Sequence, residues 1–530
     1  MSGAVRNYSG TVSLGPHQRN VGARRTRGCG CLAFLIVLGA VGAYGYWTTR
    51  DTCPVESVIP AQMGYQVVAH DVLAKRAKLA GSRLWQALPP TVGLADVPER
   101  LTQDFGVPEY VLNNIAPGSC HLCGNDLRAL SDVLVVTRMT RVGSLLEKGH
   151  RLIPAIKRDW AGGLRLRHVP DAGLYYAVRG RLFVASPSRQ ALVRALTLQS
   201  DDAITPEALP RPASGSGTQD LCGTVALGQD DPLGDILEGV GFALRVDTMS
   251  ATLKCRAALR ADYRDRLAGL IEGLAPQQLV APPEGMLEIS MDFRRPVREL
   301  WQAIGAIAGL SEQMEGLWET WSAETDAAYG EIPPAVTAML GPLGPGVRLT
   351  WLGVDALEMV PMPEVVATFD TQPGALMEAF AALPTAPAEA MPWDTFLRYD
   401  ADKGRVHLPM IGGPSIEPTA GVYGDALLVS SSRTIGDALL DAGPRGETLP
   451  EPGNVSVRVR PHPCLRTVVD VATMLAELRM LKGYTPDQVH AEAEPWLSAA
   501  GAVDEIKALA GYKNGEIALD LRVVCTQAGP

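Results

Sequence analysis

Lysine is scarce in this chain: nine of the 48 basic residues, the rest being arginine. So strong a bias reflects coding composition, and no basic cluster interleaved with aromatics follows the first fifty residues, which argues against nucleic-acid contact. Acidic residues are missing from residues 1–50, where Arg6, Arg19, Arg24, Arg25, Arg27 and Arg50 stand alone. The remainder then holds 42 basic against 58 acidic residues. A body of that sign does not bind DNA or anionic lipid through a broad electrostatic surface. Catalytic signatures are missing as well. The eight histidines are scattered without metal-ligand spacing. No glycine fingerprint for a nucleotide, no G-x-S-x-G elbow and no S-x-x-K is present. No cofactor and no metal are expected.

One long uncharged run does occur, "CGCLAFLIVLGAVGAYGYW" at residues 29–47. As a helix it would reach about 29 Å, close to the ~30 Å of a bilayer's hydrocarbon core. Arginines precede it, and Tyr44, Tyr46 and Trp47 stand at its far end, where interfacial rings belong. The expectation is a single-pass anchor in the cell membrane. The basic tail, residues 1–28, would be cytoplasmic and the body extracytoplasmic; a cleaved signal peptide is the rival reading.

At 530 residues, with 46% hydrophobic and 20% charged residues and a mean hydropathy of +0.06, the chain exceeds one ordinary core. Weak similarities recur in order along it. "SRLWQAL" (82–88) resembles "RELWQAI" (298–304), and "VLVVT" (133–137) resembles "EVVAT" (364–368). "AVRGRLFVASPSRQAL" (177–192) resembles "GVYGDALLVSSSRTIG" (421–436), and each series ends in an alternating stretch that reads as a hairpin. We therefore expect an α+β fold: an N-terminal transmembrane helix, then a tandem duplication of a unit with largely antiparallel sheets. The two copies would span residues 55–280 and 281–530.

Three motifs carry candidate chemistry. Outside the cytoplasm cysteines pair, so Cys222 with Cys255 and Cys464 with Cys525 are candidate disulfides. Cys120 and Cys123, in "GSCHLCGN", read as a local disulfide first and a redox couple second. "SPSR" and "SSSR" place Ser186, Ser188, Arg189 and Ser430, Ser432, Arg433 at the start of helices. There a serine caps a free N–H, and an anion site beside the arginine is the alternative. Trp85 and Trp301 read as core residues of the repeated helix.

A basic tail, one anchor and a duplicated "strand, Gly, strand, Ser-x-Ser-Arg, helix" body resemble uncharacterised families of bacterial single-pass membrane-anchored ectodomains. The resemblance implies no catalytic residues. Together these features predict a non-catalytic binding or envelope-assembly protein. Its cleft between the halves would take an envelope protein or an apolar ligand, with the membrane as the other partner and no nucleic acid. The alternative is an envelope enzyme, either a thiol oxidoreductase using Cys120 and Cys123 or a hydrolase with an unrecognised site.

Overall fold

The computed structural model describes residues 49–71, 81–87, 109–126, 130–149, 156–205, 220–228, 234–271, 284–292, 343–355, 361–371, 373–381, 398–400, 402–408, 414–444, 454–513 and 515–526, with positions 43, 44, 46, 75 and 78. Ten strands lie in the first half: β1 (Tyr65–Ala69), β2 (Cys120–Gly124), β3 (Leu134–Arg138), β4 (Lys157–Ala161), β5 (Leu164–Val169), β6 (Leu174–Arg179), β7 (Leu182–Ser186), β8 (Leu221–Ala226), β9 (Leu237–Val246) and β10 (Ser250–Leu259). Ten more follow: β11 (Leu287–Asp292), β12 (Leu343–Asp355), β13 (Met362–Thr371), β14 (Arg398–Asp400), β15 (Arg405–His407), β16 (Thr419–Tyr423), β17 (Ala426–Ser430), β18 (Val455–Val459), β19 (Val503–Lys513) and β20 (Glu516–Cys525).

Every pairing among these described strands is antiparallel. In the first half the spatial order is β4-β5-β6-β7-β3-β2-β1-β8-β9-β10. The order continues β20-β19-β18-β11-β12-β13-β17-β16-β15-β14. β10 pairs with β20 over nine positions and joins the two series into one sheet. Read outward from that ladder, each strand of the second half carries the first half's number plus ten.

The helices are α1 (Arg83–Ala87), α2 (Glu109–Ile115), α3 (Arg141–Lys148), α4 (Arg189–Leu196), α5 (Ala261–Ile271), α6 (Pro373–Ala381), α7 (Arg433–Ala442), α8 (Pro461–Glu477) and α9 (Pro486–Gly501). In the first half the main core gathers Val136, Leu166, Leu182 and Val184 from the sheet with Leu192 of α4. In the second half both faces of β17 are used, because successive strand residues point to opposite sides. Leu427 joins Leu376 and Phe380 of α6, while Leu428 joins Leu439 and Leu440 of α7. Leu376 and Phe380 are fully buried, and each such side chain contributes about 1.5–3 kcal/mol. The hairpins β6–β7 and β16–β17 turn in the same way, on Gly180 at φ +62° and Gly424 at φ +64°. Glycine at the first of two loop positions is the requirement of a type II′ turn.

Two expectations are corrected. The halves do not hold separate sheets of α+β type, because among the described residues a single antiparallel sheet of twenty strands runs through both. The transmembrane helix is not supported either: among the described residues no helix is long and apolar enough to cross a membrane. With it falls the single-pass location. Residues 1–28 and most of residues 29–47 lie outside the described residues. The described end of the run is engaged by the body, with the Tyr46 ring 5.1 Å from Arg141 Cζ and the Tyr44 ring 5.8 Å from Lys148 Nζ.

Candidate functional site

Where the halves meet, the register sorts the side chains of the ladder by chemistry. Cys255 of β10 stands opposite Leu519 of β20 and Phe242 of β9, and Leu519 stands opposite Ala510 of β19. Two residues along, Leu253 is flanked by Leu521 and Leu244, and Leu521 by Ala508. Partners across a ladder share a face, so these eight residues form one apolar surface. The intervening residues point the other way and are polar on the two central strands, where Lys254 faces Asp520 and Thr252 faces Arg522, while Ala243 and Leu509 flank the first of these pairs.

Helices close this surface at its ends. At one end α1 sits on the strand termini, where the Arg83 N–H donates to the Thr248 carbonyl at 3.1 Å and the Arg83 guanidinium donates to the Thr526 carbonyl. At the other end Tyr263 and Ala268 of α5 pack over Val240, Ala257 and Ile517, and the Tyr512 hydroxyl donates to the Arg264 carbonyl at 3.0 Å. Between them the sheet is uncovered enough to leave Leu519 36% exposed and its neighbours half-buried. The open stretch is about four residues of strand, ~13 Å at 3.3 Å per residue. Cys255 lies in its middle, and burial pushes its thiol pKa up, with Asp520 adding to the effect.

A second constellation joins three neighbouring strands. Cys222 Sγ of β8 lies 3.4 Å from Nε2 of His70, just past β1, and His70 Nδ1 lies 3.3 Å from the hydroxyl of Ser119, just before β2. A nucleophile, a base and an orienting group would sit in this order. Its electrostatics oppose that use. Burial raises the Cys222 pKa, while burial and then Lys75 lower that of His70, so the neutral thiol and neutral imidazole are both favoured. Cys222 is also only 4% exposed.

The sequence candidates fall elsewhere. Cys120 and Cys123 lie within β2, an odd number of residues apart, and so point to opposite faces. Burial pushes their thiols up to about 11 and about 12, Asp132 and Cys120 adding at Cys123. Burial thus favours the neutral thiol at both positions, which opposes the thiolate that a redox pair needs. The proposed disulfides are not formed, since all seven described cysteines are free. Cys222 and Cys255 are two strands apart, roughly 9.6 Å, and on opposite faces, which no disulfide spans. Cys464 lies on α8 and Cys525 ends β20.

Both Ser-x-Ser-Arg motifs are caps. The Ser188 hydroxyl accepts from the Ala191 N–H at 3.2 Å and the Ser432 hydroxyl from the Ile435 N–H at 3.5 Å. Ser186 and Ser430 accept from the N–H groups of Ser188 and Ser432, at 3.1 and 3.2 Å. In the second half the Pro414 carbonyl takes the N–H groups of Arg433 and Thr434, which leaves an anion little to bind. Arg189 is engaged by Asp159, and Arg433 by Glu417 and Asp437. Trp85 is half-buried on α1, and Trp301 lies outside the described residues. Among the described residues no group of three or more His, Cys, Asp or Glu could hold a metal ion.

Sequence reasoning missed the apolar surface because its two central strands, β10 and β20, are about 265 residues apart. The available signal was the alternation in "ALRVDTMSATLKC" and "EIALDLRVVC".

No family model and no curated protein matches this chain. Among solved structures, crystal forms III, I and IV of TP0453 match at 7%, 7% and 9% identity. The likeness covers 41%, 41% and 40% of this chain and 87%, 85% and 83% of that one, with TM-scores of 0.25, 0.24 and 0.24. A likeness so low carries no inference.

Proposed function

We propose that this protein is a non-catalytic binding protein which holds a small apolar ligand, of acyl-chain type, on the sheet surface where its halves join. The observation that carries this reading is the row Phe242–Cys255–Leu519–Ala510, apolar and incompletely covered where β10 and β20 join. A stretch of about 13 Å closed by α1 and α5 suits a short chain or ring system better than a partner helix. Ligand sites are mostly apolar and sparing of polar groups.

Cys255 provides the test. A pyrene-labelled fatty acid is titrated into the full-length protein while the rate of Cys255 alkylation is followed by peptide mapping. Binding should slow alkylation of Cys255 and leave that of Cys464 unchanged, and Leu519→Glu should weaken binding about tenfold or more. Unchanged Cys255 reactivity at saturating probe would overturn the reading.

A further inference from the structure

The helices that follow β3 and β13 occupy equivalent places in the strand order but are turned in opposite senses. In the second half α6 drives Leu376 and Phe380 fully into the core. In the first half α3 buries its small residues, Gly143 and Ser144, and turns Val142, Leu145 and Leu146 outward, 47–57% exposed. Positions i, i+3 and i+4 form one continuous stripe on a helix.

Directional contacts fix this orientation. Thr140 caps the helix by accepting from the Gly143 N–H at 2.8 Å, and its hydroxyl donates to Asn114 Oδ1 at 2.6 Å. The Ser144 hydroxyl donates to the Gly180 carbonyl at 2.9 Å. At Gly143 the backbone of Asn114 comes so close that a Cβ would sit 2.5 Å from its carbonyl oxygen. A large side chain at that position would push α3 off α2. The outward apolar stripe is therefore built into the packing.

Charge and aromatic rings surround the stripe. Arg141 and Lys148 stand at its two ends, while Glu147, the only acid of α3, turns inward to Arg167 at 2.5 Å. Tyr44 and Tyr46 lie beside Lys148 and Arg141. Tyr110 of α2, which packs against α3, is 61% exposed. Apolar side chains flanked by snorkelling cations and amphipathic rings have the chemistry of a bilayer interface.

We infer that α3 is a membrane-surface element, which lays Val142, Leu145 and Leu146 into the headgroup boundary of an anionic lipid leaflet with Arg141 and Lys148 at the phosphates. It lies along the lipid and does not cross it. The net negative charge of the chain does not oppose this, because the contact is local and the helix's one acid is already paired. The site is separate from the surface at the β10–β20 ladder and stands whether or not that surface binds a ligand.

The test uses the full-length protein and co-sedimentation with vesicles of phosphatidylcholine and phosphatidylglycerol, set against vesicles of phosphatidylcholine alone. The wild type should bind the anionic vesicles more tightly, and the double substitution Leu145→Glu, Leu146→Glu should reduce binding about tenfold or more. These side chains are exposed, so circular dichroism and the unfolding midpoint should not change. A second measurement is independent of that variant: a tryptophan placed by Leu145→Trp should be quenched by brominated-acyl phospholipid well beyond the wild-type signal. Unaltered vesicle binding by the double variant, or no added quenching at Trp-substituted position 145, overturns the inference. So does concentration-dependent dimerisation abolished by the double variant, which would assign the stripe to a second copy of the chain.

Discussion

Arg405 and Asp437 form a half-enclosed ion pair across the packing of α7 on the sheet, with Nη1 donating to Oδ1 at 3.0 Å. The Arg405 side chain is only 7% exposed, and its second amino group reaches the far more exposed Asp441. Removing the inner carboxylate leaves a buried guanidinium with one solvent-screened partner, and uncompensated buried charge is the expensive outcome. Asp437→Ala should therefore destabilise the fold by about 3 kcal/mol in urea unfolding. Asp441→Ala should cost under about 1 kcal/mol, in the range of an exposed pair. Equal losses would contradict this assignment.

Acid should destabilise the protein through buried histidines. Burial, then the charge of His70, lowers the His121 pKa to about 4, and burial, then Arg433, lowers that of His407. Around His407 stand Arg405 on its own strand, Asp400 on β14, and Arg433 and Asp437 on α7. Its Nδ1 lies 2.9 Å from the Thr419 hydroxyl. The unfolded chain takes up protons near pH 6.5 that the folded chain refuses. Stability is thus complete above about pH 6.5 and falls as pH drops toward 4, by at most ~1.4 kcal/mol per pH unit for each histidine. Unfolding midpoints measured between pH 7.5 and pH 4.5 should show the decline, and His121→Gln should flatten it.

Some of this architecture is legible in the residues and some is not. "VLVVT" and "EVVAT" lie on β3 and β13, and the Ser-x-Ser-Arg motifs open α4 and α7, because strand alternation and helix capping are local effects. The joining of the halves is a different matter. Whether β10 and β20 end two sheets or continue one depends on two exposed edges finding each other, and no local pattern records that. The spacing in "CHLCG" suggests a local disulfide or a redox couple, yet the residues pair as a strand with both β1 and β3. The apolar run at residues 29–47 reads as an anchor from its length, its flanking arginines and its terminal aromatic residues, none of which says that Arg141 and Lys148 meet its tyrosines. As for the apolar surface, its composition was visible in each hairpin, but its openness depends on where α1 and α5 stop.

The paired hairpin glycines allow a controlled comparison. Both Gly180 and Gly424 hold a left-handed φ, which costs an L-residue about 1–2 kcal/mol. At Gly180 a Cβ would also meet the Arg50 carbonyl oxygen at 3.0 Å. Gly180→Ala and Gly424→Ala should therefore both destabilise the protein through the turn backbone, with the close approach adding to the cost at Gly180. Calorimetric melting of both variants beside the wild type checks this, and an unchanged midpoint for either would mean that its turn does not hold the left-handed φ.

Thiol chemistry offers the sharpest check on the strand placement of the cysteines. Cys123 and Cys222 are almost fully buried, whereas Cys255 and Cys464 are partly open. Alkylation requires both contact with the reagent and a thiolate. Burial denies Cys123 both, holding its thiol at about 12. Short exposure of the native protein to iodoacetamide at pH 8 should label Cys255 and Cys464 and leave Cys123 and Cys222 unlabelled, as read by mass mapping. In urea without reductant all four should label, because none is held in a disulfide. A Cys120–Cys123 crosslink recovered from protein kept under air would show instead that β2 opens enough to bring both thiols to one side, and would revive the redox reading at the cost of the strand register proposed for Tyr65 through Ala69.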